Sequence, residues 1–230
     1  MSAIRDPYAF LSPAAAASTV ALRTPMERSH LAAGAELSAV DGWRVAAYPA
    51  ADGEAAATAT DVSHLGKLDV RGSAAELDSL TGGLAPGAAR ADDGVWTLRL
   101  TPTHGYVLCP FPRVGALRDR IGGPALDVTS AYAGVALGGE RRRGVFNRSS
   151  GLDVRESRFA AGRCMAGSVM RVPTLVLNRG DDLVMLVAWE YGEYFWEAIL
   201  DAGEAFAIAR ASVIAAAAPR EDQRAQEQTA

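Results

Sequence analysis

The sequence predicts an α+β protein built from two related halves, each with antiparallel strands and packed helices. Three observations carry this prediction: two hairpin patterns lie far apart in the chain, helical segments separate them, and an Asp-Val-Ser/Thr pattern occurs twice. A chain of 230 residues can bury a core without disulfides or metals. We expect the halves to be residues 24–115 and 116–218, flanked by a flexible arm (1–23) and a disordered tail (219–230).

The first half opens with a helix and contains one hairpin. Residues 24–37 begin with Thr-Pro, a pair typical of a helix start, and predict a short amphipathic helix. KLDVRG (67–72) alternates apolar and polar side chains and predicts a strand, after which Gly72-Ser73 predicts the cap of a helix through AAELDSL. VWTLRL (95–100) and YVLCPF (106–111) alternate on either side of a turn and predict a hairpin.

The second half contains a second hairpin and a long helix. RVPTLVLN (171–178) and LVMLVAW (183–189) are apolar runs on either side of the turn RGDD, which is typical of a hairpin with largely buried strands. From residue 191 to residue 218, aromatic and aliphatic residues are available for one helical face and acidic residues for another. This pattern predicts a long helix that ends the second half.

A short repeat relates the two halves. Asp61-Val62-Ser63 is followed eleven residues after its aspartate by Gly72 and a predicted helix, and Asp127-Val128-Thr129 is followed in the same way by Gly138. The two units are 66 residues apart, and each predicts a strand, a glycine turn and a helix. The position equivalent to His64 is Ser130, which weakens a catalytic interpretation of His64.

Composition and charge narrow the classes of function. A net charge of −4 provides no basic surface for DNA or RNA. The two cysteines, Cys109 and Cys164, are far apart and outside CxxC spacing, so neither a disulfide framework nor a zinc site is predicted. No apolar run approaches the roughly 18 residues of a membrane helix. Because the first 21 residues lack an uninterrupted apolar leader, we expect a cytoplasmic protein.

Several side chains are candidates for chemistry, and each also has a structural interpretation. Ser63 and His64 are neighbours, and strand geometry would point them to opposite faces, which favours a structural role. Asp92-Asp93 and Asp181-Asp182 are paired acids, but both pairs lie at predicted turns, where aspartate is favoured for its backbone bonds. The run Glu140–Arg143 fits an anion site or, more often, a solvated rim.

Several segments together resemble a known family. TPMERSHLAAGAEL, DGWRVAAYP and TDVSHLGKLDVRGSAAEL resemble the opening of the glycine cleavage T protein and its folate-binding relatives. LDVTSAYAGVALGGERRRGVF, the VPTLVLNR hairpin and EYFWEAILDAG resemble the second half of the same fold. DVSHLGKLDVRG is the specific segment, and the order of elements agrees from about residue 24 to residue 205. The resemblance implies a T-protein-like folate-binding fold.

Two departures from the family pattern concern its active site. In the T protein, a hairpin after the LxPG turn ends in a GGxxDD motif with the catalytic aspartate, whereas here only AARADDG follows that turn. The YTGExGYE motif, whose first glutamate holds the pterin, is replaced by LNRGDD. The resemblance therefore implies neither a catalytic residue nor a metal site. Asp93 is the candidate for catalysis, and Asp93, Cys109 and Asp181 are the candidates for contact with folate.

These losses make the chain most similar to the gamma subunit of heterotetrameric sarcosine oxidase. That subunit has the T-protein-like fold with a shortened first half and a segment like FAAGRCMAGSVMRVPTLVLNR. The implied role is a non-catalytic subunit that packs on larger flavoprotein subunits. The complex would oxidise an N-methyl amino acid and pass the one-carbon unit to tetrahydrofolate, with FAD, FMN and NAD on the partner subunits only.

Two alternatives stay open at this point. The first is a stand-alone tetrahydrofolate-dependent aminomethyl- or methyltransferase, with Asp93 near the reacting nitrogen. The second is a folate-binding protein for iron–sulfur maintenance, because GRCMAG (162–167), which contains Cys164, resembles the KGCYxGQE motif of that branch.

Overall fold

One eleven-stranded sheet dominates residues 22–49 and 55–213, the part of the chain that the computed structural model describes. Its strands lie in the spatial order β14 (Ile208–Ala211), β4 (Ala57–Asp61), β10 (Tyr132–Gly138), β13 (Asp182–Ala188), β12 (Val172–Asn178), β11 (Arg163–Val169), β6 (Ala88–Asp92), β7 (Val95–Thr101), β8 (His104–Cys109), β5 (Gly66–Arg71) and β9 (Ala125–Asp127). A small second sheet contains β1 (Leu22–Arg23), β3 (Trp43–Ala47) and β2 (Glu36–Val40).

Helices cover one side of the main sheet in each half. They are α1 (Glu27–Ala32), α2 (Ala74–Thr81), α3 (Val114–Ile121), α4 (Arg142–Ser149) and α5 (Gly192–Gly203). Within the described part of the chain, no helix is both long and apolar enough to cross a membrane. The combination of these helices with sheets of mostly antiparallel strands confirms the predicted α+β class.

Both predicted hairpins are present. β7 and β8 pair antiparallel around a tight turn, and β12 and β13 pair antiparallel across the predicted RGDD turn. The helix predicted after Gly72-Ser73 is also present, and it begins with a capping box. The Ser73 side chain accepts from the Glu76 amide, and the Glu76 carboxylate accepts from the Ser73 amide at 2.7 Å.

The main sheet has a narrow junction, and each side of it contains strands from both halves of the chain: β4 lies beside β10 on one side, and β9 lies beside β5 on the other. Between β11 and β6 the strand pairing consists of Arg163 opposite Ala88. On one side of this junction, α4 and α5 cover a core that includes Phe146 and Phe195. On the other side, α2 and α3 cover a smaller core around Leu68. A third apolar cluster, shared by strands of both halves, lies on the opposite face of the sheet.

The long helix predicted for residues 191–218 is wrong in its length. α5 ends at Gly203, and the chain then passes through a 3₁₀ turn into β14, which pairs in parallel with β4. Gly203 permits this ending because a Cβ there would lie 2.5 Å from Ile208 Cγ2. Ala207 adopts φ 50° and redirects the chain. Residues 214–218 lie outside the described part.

Other boundaries also differ near the start of the chain. The helix predicted for residues 24–37 is shorter, because α1 ends at Ala32 and the chain continues into β2. Of the predicted arm, residues 1–21 lie outside the described part, and the last two residues form β1 beside β3. The predicted tail, residues 219–230, also lies outside it.

Candidate functional site

The two copies of the Asp-Val-Ser/Thr repeat form equivalent turns. The Ser63 amide donates to Asp61 Oδ1 at 2.9 Å, and the Thr129 amide donates to Asp127 Oδ1 at 2.9 Å. Each aspartate accepts from the backbone two residues later, which is the bond that fixes an Asx turn. Ser63 and His64 therefore lie in the turn between β4 and β5, and the strand geometry predicted for them is wrong.

Each of these turns binds the first long strand of the other half. The Val62 amide donates to the Gly134 carbonyl of β10 at 2.8 Å, and the Val128 amide donates to the Lys67 carbonyl of β5 at 2.9 Å. Because both bonds cross between the halves, they position the turns against each other at the centre of the molecule.

The hydroxyl groups of the two turns repeat this exchange. Ser63 Oγ accepts from the Gly134 amide, and Thr129 Oγ1 accepts from the Lys67 amide, each at 3.0 Å. All four groups are buried, so each hydroxyl satisfies an amide that water cannot reach. The residues of DVSHLGK are thus held by the second half of the chain.

Beneath the first turn, a buried polar network joins the small sheet to the main sheet. Asp61 Oδ2 accepts from the Thr24 hydroxyl and from His30 Nε2, the latter at 2.9 Å. In the neutral imidazole this leaves His30 Nδ1 as the acceptor for the Tyr48 hydroxyl at 2.7 Å. Burial alone would raise the pKa of Asp61, but the bonds from His30, Ser63 and Thr24 hold it below its usual value.

A buried lysine fixes the backbone on both sides of His64. Lys67 is fully buried, and its Nζ donates to the carbonyls of Ser63 and Leu65, each at 2.8 Å. Burial lowers the pKa of Lys67 to about 7, while Asp61 acts in the opposite direction. The lysine therefore positions the His64 turn, and we count it as a structural residue of the site.

A cavity of about 330 Å³ lies next to this turn. Val62, Leu65 and Ala136 form part of its apolar lining. The volume is at the lower end of the range for small-molecule sites, which begins at about 300 Å³. The cavity is therefore large enough for a small ligand of about one ring system.

His64 lines the cavity, and one of its ring nitrogens is buried without a partner. The residue is 7% exposed, and its Nδ1 makes no hydrogen bond in the described part of the chain. Burial lowers the pKa of His64, so the imidazole is neutral near pH 7. A buried polar atom without a partner is uncommon in native proteins. It marks His64 as the first residue to test for ligand contact.

An ion pair forms the other polar part of the cavity lining. Arg179 Nε donates to Asp182 Oδ1 at 2.7 Å, and its Nη2 donates to Asp182 Oδ2. Asp181, the predicted candidate, is exposed in the turn next to this pair and does not line the cavity. The sequence identifies Asp182 only as one of two paired acids at a turn, and nothing in the RGDD pattern indicates a role for Arg179.

The other predicted candidates lie outside the cavity. Asp93 is at the tip of the β6–β7 hairpin, 85% exposed, and pairs with Arg113 at 3.1 Å. Cys109 belongs to the core under α2 and α3, and burial raises the pKa of its thiol to about 11. Cys164 is buried in the cluster on the opposite face of the sheet, and burial raises its pKa to about 11 as well. Both thiols are therefore neutral and poorly nucleophilic near pH 7.

The remaining candidate runs also fall elsewhere. Glu140 and Arg141 lie in the loop before α4, and Arg142 and Arg143 begin that helix. Arg143 pairs with Glu156, so this run contributes local contacts at the surface. In residues 22–49 and 55–213, no three His, Cys, Asp or Glu side chains are grouped closely enough to hold a metal ion.

One curated protein is similar in sequence. The chain is 28% identical over 221 residues to an aminomethyltransferase of Streptomyces coelicolor, and the match covers 82% of this chain and 59% of that protein. The chain thus spans somewhat more than half the length of the relative. A search with protein-family models gave no match.

Two solved structures are similar in fold. A chain of the heterotetrameric sarcosine oxidase from Corynebacterium sp. U-96, in complex with pyrrole 2-carboxylate, superposes with a TM-score of 0.60 at 25% identity, covering 68% of this chain and 88% of that one. The glycine cleavage system aminomethyltransferase T from Bartonella henselae superposes with a TM-score of 0.67 at 18% identity, covering 85% of this chain and 61% of that one. These likenesses confirm the T-protein-like folate-binding fold that the sequence resemblance implies.

Proposed function

We propose that this chain, which has the T-protein-like folate-binding fold, is a non-catalytic subunit of a heteromeric sarcosine-oxidase-like complex. The observation that carries the proposal is the match to a chain of a heterotetrameric sarcosine oxidase, which is covered almost completely. The aminomethyltransferases of the same fold are covered only in part. The length of the chain therefore corresponds better to that of the oxidase subunit than to that of a whole transferase.

The positions of the carboxylates support the same proposal. Asp93, the candidate for the position of the T protein's catalytic aspartate, is exposed at a hairpin tip and paired with Arg113. Asp182 is the carboxylate that lines the cavity, and both of its oxygens bind Arg179. Both oxygens of Asp182 are therefore already occupied by the Arg179 guanidinium. We expect neither carboxylate to act as the proton acceptor in a one-carbon transfer.

In the proposed complex, the oxidation of an N-methyl amino acid takes place on partner subunits that bind the flavins and NAD. Tetrahydrofolate would receive the one-carbon unit there. This chain contributes a rigid scaffold, in which the two central turns and the Asp61 network hold the halves together. It also contributes the outer surfaces against which the larger subunits pack.

A comparison of variants within the assembled complex tests the non-catalytic role. The complex should oxidise sarcosine at an unchanged rate when it contains Asp93→Asn or His64→Leu, because neither side chain takes part in the chemistry. A matched variant at a distant exposed site, Asp119→Asn, controls for general effects of the substitution on expression and assembly. A decrease of about tenfold or more in kcat for Asp93→Asn, with assembly intact, would contradict the proposal.

The cavity beside His64 favours one second candidate, a tetrahydrofolate-dependent aminomethyl- or methyltransferase. A neutral imidazole in a largely apolar lining suits the edge of a pterin-like ring that can both donate and accept hydrogen bonds. Calorimetry with tetrahydrofolate on the isolated chain distinguishes this candidate from the non-catalytic role. Binding that disappears in His64→Leu would support this candidate, and no heat at millimolar ligand would exclude it.

A further inference from the structure

A second groove, away from the His64 cavity, runs between α5 and β14. Two cavities, of about 410 and about 240 Å³, share Glu197, Leu200 and Arg210 in their linings, so they form one continuous depression. We call this depression the α5–β14 groove. Its combined size is sufficient for an extended stretch of polypeptide.

Acidic side chains line the wall that α5 and the following turn provide. Glu197, Asp201 and Glu204 are spaced four and three residues apart, which places them on one face. All three are exposed, and the last turn of α5 contains no basic residue. Negative charge at the C-terminal end of a helix opposes the helix dipole, and neighbouring carboxylates repel. Arg210, which lines both cavities, offsets one of these three negative charges, and a positively charged partner would offset the excess that remains.

The opposite wall of the groove is the edge of the main sheet. β14 is the terminal strand, and within the described part of the chain no strand pairs with its outer edge. Such an edge presents unpaired backbone N–H and C=O groups, which another extended chain can bind by β-augmentation.

The floor of the groove is apolar. Leu200 and Ile208 are half-buried at the floor. Trp196 lines the smaller cavity and is 1% exposed, and its Nε1 is buried, so the floor offers a bound segment apolar contacts.

We propose that the α5–β14 groove binds an extended, basic segment of a partner protein as an added edge strand. Alternating side chains of such a segment would place Lys or Arg against the three carboxylates and apolar residues on the floor. A second copy of this chain suits the groove poorly, because a symmetric contact would bring two rows of carboxylates together. The inference rests on the proposed function in one respect: the partner is expected to be another subunit of the complex.

The test uses the full chain and a synthetic peptide of alternating lysine and valine, long enough to cover the four residues of β14. We expect the peptide to bind more weakly as salt concentration rises, and to slow hydrogen exchange at Ile208–Ala211. Glu204→Lys should weaken binding by about tenfold. The matched control Asp119→Lys, at a 72% exposed carboxylate on α3, should leave binding unchanged. A peptide of alternating glutamate and valine should not bind.

Two results of the peptide experiment would overturn the inference. One is the absence of peptide binding to a folded chain. The other is binding that Glu204→Lys and Asp119→Lys weaken equally, because the groove would then not be the site. If the peptide binds as expected but the chain forms no complex with flavoprotein subunits, only the proposed function fails. If the complex forms equally well with Glu204→Lys, only the groove assignment fails.

Discussion

Ser63 Oγ accepts a hydrogen bond from the buried amide of Gly134 at 3.0 Å, a contact that joins residues 71 positions apart in the chain. It is one of two equivalent contacts, because Thr129 Oγ1 receives the Lys67 amide in the same way. Together they hold the central turn of each half on the first long strand of the other. The stability of the fold should therefore depend on both hydroxyls.

Removing either hydroxyl should destabilise the protein to a similar extent. Ser63→Ala leaves the Gly134 amide without an acceptor, and Thr129→Val does the same to the Lys67 amide, each at a cost of about 1 to 3 kcal/mol. Chemical denaturation measures the free energy of unfolding. Ser130→Ala, at the exposed position equivalent to His64, is the control and should change it by less than about 0.5 kcal/mol. A Ser63→Ala variant as stable as the control would show that the contact is dispensable.

The Asp61 network should make the protein sensitive to acid. Because the pKa of Asp61 in the folded chain lies below its unfolded value of 3.8, this group contributes stability that is present above that value. The contribution is lost as the pH falls through the lower, folded pKa. Asp61→Asn should be less stable than the wild type by about 1 to 3 kcal/mol at pH 7 and should show a smaller further loss below pH 4. Equal acid sensitivity of the two proteins would contradict this role.

Lys67 should give stability a separate pH dependence of the same sign at higher pH. Its pKa is about 7 in the folded chain and 10.5 in an unfolded one, so the unfolded chain binds more protons between these values and stability rises with pH there. Burial raises the pKa of Cys109 and of Cys164, which lowers stability above about pH 9. The effect of Lys67 is therefore measured below about pH 8.5, where the thiols do not contribute. From pH 7 to about 8.5, the wild type should gain about 1 to 2 kcal/mol and Lys67→Met should gain nothing. A flat wild-type profile would mean that the lysine is charged when buried.

Two glycines should respond to alanine in opposite directions. A Cβ at Gly105, in β8, would lie 2.5 Å from the Leu98 carbonyl oxygen, and backbone cannot move aside cheaply. Gly105→Ala should therefore destabilise the protein by about 1 to 3 kcal/mol. Gly115 lies in α3 with no atom within 4 Å of the added Cβ, so Gly115→Ala should stabilise by about 0.5 to 1 kcal/mol. Thermal denaturation of the two variants gives the sign of each change in stability. A stabilising Gly105→Ala would refute the packing of β8 against β7.

Local patterns predicted the hairpins and the capped helix because their determinants lie within a few residues. The alternation around residues 102–103 and the Ser73–Glu76 capping box depend on neighbours in the chain. The helix predicted for residues 191–218 failed for the opposite reason. Its apolar period continues past Gly203, but pairing of β14 with β4, more than 140 residues earlier, overrides the local preference.

The candidate site could be predicted only in part. The DVSHLGK segment is distinctive in sequence, but its turn conformation depends on Gly134, which no local pattern reveals. KLDVRG predicts the strand correctly, whereas the complete burial of Lys67 follows from contacts with Thr129 and the β4–β5 turn. Arg179 and Asp182 reach the cavity only because β13 lies beside β10 in the sheet. Sequence identified the segments, and long-range pairing decides which side chains meet.

The central claim is that the chain functions as a subunit of a flavoprotein complex. The decisive measurement is native mass spectrometry of the full chain, co-expressed with flavoprotein subunits of a sarcosine-oxidase-like complex. The proposed subunit role predicts a stable hetero-oligomer that contains this chain in a fixed ratio and oxidises sarcosine. A chain that stays monomeric, while the flavoprotein subunits assemble and oxidise sarcosine without it, would contradict the claim.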